Sequence, residues 1–130
     1  MTLQEALKMV ADFHDAFGIE QAKQPTAAIG LEQSLLRYTL MREENEEYLD
    51  AARRGDLVEV ADALGDMLYI LCGTMLKHGL QGKMEEVFRE IQASNMSKLD
   101  ASGRPIYRED GKVLKSDRYH KPDLAPILEA

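Results

Sequence analysis

LVEVADALGDMLYILCGTML, residues 57–76, is apolar or small at nearly every position, and its only charges are Glu59, Asp62 and Asp66. Asp56 precedes the run as an N-cap candidate and Gly79 follows it, so the stretch reads as a helix from about residue 57 to His78. A helix that is apolar almost all round is expected to be buried. Its three acids share one narrow sector, because positions i, i+3 and i+7 superimpose on a helix. Buried carboxylates are costly unless something pairs with them. The candidates are arginines nearby in the sequence (Arg42, Arg53 and Arg54) or a cation from solution. Glu59 has a second reading, since Asp56-Leu57-Val58-Glu59 also fits a capping box. Asp62 and Asp66 lie too far into the helix for that.

Immediately upstream, MREENEEYL (residues 41–49) sits within a helix expected over Leu31–Arg54 and ended by Gly55. At 100° per residue, Glu43, Glu44 and Glu47 fall in the sector of Leu36, Leu40 and Ala51. Glu46 and Asp50 point to solvent, where acids usually are. The arginines fall mainly off the acidic sector, which favours a cation as the partner of the two acid groups. The ligand set is all carboxylate, with no histidine or cysteine, so magnesium or manganese suits it better than zinc. There is no HExxH motif, and Cys72 lies on the apolar side of its helix as a core residue.

The remaining chain supports an all-α class. Thr2 and Glu5 form an N-terminal capping pattern for a helix over about residues 2–18, with Leu3, Leu7, Val10, Phe13 and Phe17 on a core stripe. GIEQAKQPTAAIG (18–30) is a connection. A fourth helix is expected over about 83–99, with Met84, Val87, Phe88 and Ile91 on one side. In PIYREDGKVL, Asp110-Gly111 between Ile106-Tyr107 and Val113-Leu114 signals a hairpin. We read one domain, 1–130, with a helical core over about 2–99 and a basic tail over 100–130.

The formal net charge of −7 argues against general binding to nucleic acid or an anionic membrane. A small anionic substrate stays possible, because a bound divalent cation reverses the local sign. The single cysteine excludes an internal disulfide, no secretory signal is apparent, and the longest apolar run is too short to span a bilayer. These features point to a cytoplasmic protein.

Taken together, EENEE (43–47), EVADALGDMLYI (59–70), SNMSKL (94–99) and DGKVLK (110–115) resemble the all-α nucleoside triphosphate pyrophosphohydrolases of the MazG-like and phosphoribosyl-ATP pyrophosphohydrolase-like kind. The resemblance implies a four-helix MazG-like bundle with an extended, hairpin-bearing C-terminal tail. It places a metal site at Glu44-x-x-Glu47 and Glu59-x-x-Asp62, with Asp66 as a further ligand or a group orienting metal water. Some relatives read Glu-Leu-Gly-Asp where this chain has Ala63-Leu64-Gly65-Asp66, a register in which only Asp66 remains. The implied reaction is Mg2+-dependent hydrolysis of a nucleoside triphosphate to the monophosphate and pyrophosphate, with Mn2+ as a substitute. Glu44 or Glu43 would be the base. Asn95 and Lys98 would face the nucleotide, and Lys112, Lys115 and Arg118 continue a basic run suited to polyphosphate. The family also implies a homodimer or homotetramer. The rivals are phosphoribosyl-ATP hydrolysis in histidine synthesis and a non-catalytic cation-binding helical module. A di-iron bundle lacks its Glu-x-x-His pairs here.

Overall fold

The computed structural model describes residues 1–130. It is mostly helical: α1 (Leu3–Phe17), α2 (Leu31–Arg54), α3 (Leu57–Lys77), α4 (Met84–Met96), β1 (Ile106–Tyr107), β2 (Val113–Leu114) and α5 (Ala125–Glu129). Two compact units divide the chain, Met1–Gly82 and Lys83–Ala130. The sequence reading separates core from tail near residue 99, whereas the compact units part earlier, ahead of α4.

In the first unit α3 packs against both α2 and α1. The turn between α2 and α3 is tight for identifiable reasons. Gly55 takes a left-handed φ of 66° and donates to the last carbonyls of α2. Asp56 then accepts from Glu59 N at 3.1 Å, capping α3. The reciprocal half of the capping box does not form, because the Asp56 N–H is already bonded to Ala51 O at 3.0 Å. The Glu59 carboxylate is therefore free of that role.

The buried centre consists of Leu7 and Val10 of α1, Ala51 of α2, and Ala63, Cys72, Met75 and Leu76 of α3. Each fully buried Leu or Val here contributes about 1.5–3 kcal/mol. The expectation that α3 is buried along its length holds only for its last residues, from Cys72 to Lys77. Leu57 and Val58 are 79% and 75% exposed, and Leu64 and Leu68 are about half exposed. Two neighbouring helices cover only part of a helix circumference. Phe17, expected on the core stripe, is 69% exposed and stacks on Phe13 with ring centroids 4.4 Å apart.

A polar crossing lies inside this unit. Arg37 of α2 donates through Nε to Thr74 Oγ1 (3.0 Å) and through Nη2 to Ile70 O (2.9 Å). Gly73 makes room for the guanidinium: a Cβ there would lie 2.5 Å from Arg37 Nη2 and 3.1 Å from His14 Nε2. Burial, then the charges of Arg37 and Lys77, push the His14 pKa below its usual value, so this buried imidazole is neutral.

The connection from α1 to α2 is stitched to the end of α3. Ala22 N donates to Leu76 O (3.3 Å), Thr26 N donates to His78 O (2.9 Å), and His78 Nδ1 lies 2.8 Å from Thr26 O. Gly79 completes the crossing with φ 69°, and any Cβ at that position would collide with the Gln24 carbonyl.

In the second unit, the tail folds back on α4 through three serines. Ser94 Oγ donates to His120 O (2.8 Å), and Ser97 Oγ accepts from His120 N (3.1 Å). Buried Ser116 reaches both Ser97 O (3.0 Å) and Leu99 O (2.7 Å) and accepts from Arg118 N (3.1 Å). These bonds turn the chain after Met96, so α4 stops short of the expected residue 99. The hairpin forms as expected, pairing Ile106 with Leu114 and Tyr107 with Val113.

Candidate active site

The acids of α2 and α3 meet because a short turn lays two helices antiparallel, with Glu44 and Glu47 one turn apart on the first. Glu44 is half-buried. Its pKa is pushed up to about 7, first by burial, then by the neighbouring Glu47 carboxylate, then by the charges of Asp66 and Asp62. Glu44, Glu47, Asp62 and Asp66 thus share one electrostatic neighbourhood. Glu43 and Glu59 are exposed and do not figure among the groups that shift Glu44. The acid on which the sequence reading placed least weight, Asp66, acts on Glu44 where Glu59 does not.

Arginine does not neutralise this group. Arg42 pairs with Glu46 at 3.8 Å and Arg54 with Asp56 at 3.9 Å, and no basic side chain lies within ion-pair distance of Glu44, Glu47, Asp62 or Asp66. Glu44 Oε2 is buried without a hydrogen-bond partner. An orphaned carboxylate oxygen facing three further carboxylates suits a hard divalent cation. As the side chains stand, no three of them converge into a ready ligand set. Mutual repulsion between unneutralised carboxylates favours separated side chains.

The expected substrate-binding residues belong to the second unit. Asn95 is exposed on the last turn of α4, and Lys98 is half-buried just beyond it. Lys112 is exposed on the hairpin. The Lys115 Nζ lies 4.6 Å from the centre of the Tyr119 ring, a cation–π contact that fixes its position. Arg118 lines a pocket of about 380 Å³ with Met96, Ser97, Leu99 and Asp100. Sequence reasoning missed Ser94, Ser97 and Ser116, which organise this segment. Their only signal was two serines closing the last turn of an expected helix.

No helix is long and apolar enough to cross a membrane. Comparison with curated proteins finds no match. Residues 10–95, well over half of the chain, match the family described as phosphoribosyl-ATP pyrophosphohydrolase. That span runs from the buried face of α1 through both acidic helices to Asn95, and so the chain belongs to the phosphoribosyl-ATP pyrophosphohydrolase family, within the MazG-like all-α superfamily of hydrolases that cleave phosphoric anhydrides.

Proposed function

We propose that the protein hydrolyses a nucleoside triphosphate, or a related nucleotide, to the monophosphate and pyrophosphate, as a housecleaning enzyme of the nucleotide pool. The observation that carries this reading is the buried, unpartnered Oε2 of Glu44 beside Glu47, Asp62 and Asp66. These residues, with Glu59 at the edge of the group, would hold Mg2+ or Mn2+. When bound, the ion supplies charge neutralisation for the polyphosphate and acidifies water at the site.

The chain's own part is proton transfer and positioning. Water adds its oxygen to the α phosphorus, and the bridging oxygen leaves with pyrophosphate. The water proton passes to a carboxylate. Glu44, beside the other carboxylates that would hold the ion, is the first candidate to accept it. Glu43, next to it and exposed, is the alternative base. Within the second unit, Asn95, Lys98, Lys112, Lys115 and Arg118 are donors of the kind that polyphosphate oxygens need.

A nucleotide panel assayed for both products, with magnesium and with manganese, tests the reading. Glu47→Gln and Asp62→Asn should abolish pyrophosphate release. Release that survives both changes, or none from any nucleotide, would sink it and favour a non-catalytic cation-binding module. Hydrolysis of phosphoribosyl-ATP is the second reading, favoured by the description of the matched family, and belongs in the same panel. We further propose a cytoplasmic homodimer or homotetramer. The exposed Leu57, Val58 and Phe17 support self-association, which light scattering after size exclusion measures.

A further inference from the structure

A second concavity in the first unit lies away from the acids. It encloses about 660 Å³ and is lined by Ile19, Gln21, Thr26, Gln33, Arg37 and Lys77, among others. Arg37 stands seven residues before Glu44 and Lys77 eleven after Asp66, offsets of about 10 and 16 Å along their helices. The pocket is therefore separate from the carboxylate group.

Its cations lack counterions. Lys77 is only 8% exposed and forms no ion pair. Arg37 spends Nε and Nη2 on Thr74 and Ile70, which leaves its Nη1 hydrogens unassigned. Glu20 is the one carboxylate on the lining, and it is exposed and pairs with neither cation.

We propose that this pocket is an oxyanion site that takes a phosphate group, with Lys77 and Arg37 neutralising its charge. The arrangement supplies what a phosphate group needs: two positive charges and fork-shaped donors. The phosphate is either free in solution or a group carried by the nucleotide remote from its scissile anhydride.

The test begins with inorganic phosphate titrated calorimetrically into the full chain in EDTA, which removes any binding through a metal at the carboxylates. Saturable binding is expected, weakened at least tenfold by Lys77→Met and unchanged by Lys23→Met, an exposed lysine outside the pocket. In the wild-type chain, the Lys77 13Cε resonance should shift on titration, a readout that does not depend on any variant folding. Equal loss in both variants, no saturable binding, or a stationary Lys77 resonance would each overturn the proposal. The kinetic arm separates the sources. Phosphate that raises KM in the wild type but not in Lys77→Met identifies a substrate group, while phosphate that changes kcat alone identifies a free ligand. The binding arm needs no turnover, so its failure is distinguishable from failure of the proposed activity.

Discussion

Replacing Glu44 by glutamine should stabilise the metal-free protein while removing its response to magnesium. Glu44 holds a proton up to about 7 in the folded chain, against an ordinary value of 4.5. A raised carboxyl value means that folding favours the protonated form. Its stabilising effect is complete below 4.5, declines as pH rises, and is gone above about 7, where the folded state keeps a carboxylate beside Glu47, Asp62 and Asp66. In a fully sheltered site this interval would correspond to about 3 kcal/mol. Glu44 is half-buried, and solvent screening reduces the figure to about 1–2 kcal/mol. An amide carries no charge and donates to Glu47, so Glu44→Gln should recover that amount at pH 8 and none at pH 4. In thermal unfolding with EDTA this appears as a gain of roughly 4–8 °C at pH 8. Magnesium should raise the melting temperature of the wild type at pH 8 and leave the variant nearly unmoved. A variant that melts with the wild type at both pH values, or that keeps the magnesium response, would refute the account of Glu44 as a strained ligand.

Three other outcomes are open to measurement. Gly73→Ala should cost about 1–3 kcal/mol in denaturant unfolding, because the new methyl displaces Arg37 from Thr74 and Ile70. Gly65→Ala, on the same helix with nothing within 4 Å of the added Cβ, should instead be neutral or gain up to about 1 kcal/mol. Ser116→Ala should cost about 1–3 kcal/mol locally and speed amide exchange at Arg118 and Tyr119, which bond to Ser116 in the wild type.

Local signals made the helices readable. Gly30, Gly55 and Asp56 punctuate α2 and α3, so α2 could be placed at Leu31–Arg54 from sequence. The Asp110-Gly111 turn equally gave away the hairpin. Boundaries set by distant partners were not readable. Ser94, Ser97 and Ser116 end α4 through bonds to residues about 20 positions away, and α5 has no side-chain cap to announce it. For the candidate site, helical periodicity placed Glu43, Glu44 and Glu47 in one core-facing sector, whereas of these Glu44 alone is half-buried and Glu43 and Glu47 are exposed. It could not rank the α3 acids, because the facing of Asp66 rather than Glu59 toward Glu44 depends on how the two helices are rotated against each other. Arg37 and Lys77 were invisible for a related reason: only the fold brings cations from α2 and α3 to one pocket.

Gly79 looks like a residue whose duty ends with stopping α3. Because the backbone of Gln24 passes over it, Gly79 also sets how closely the 18–30 connection approaches the helices, and that connection forms one wall of the cavity bearing Lys77. A side chain at position 79 would lift this wall outward, loosening the bonds from Ala22 and Thr26 to Leu76 and His78. The dimensions of this cavity thus depend in part on a residue that lines none of it. A survey of substitutions confined to pocket-lining positions would overlook it.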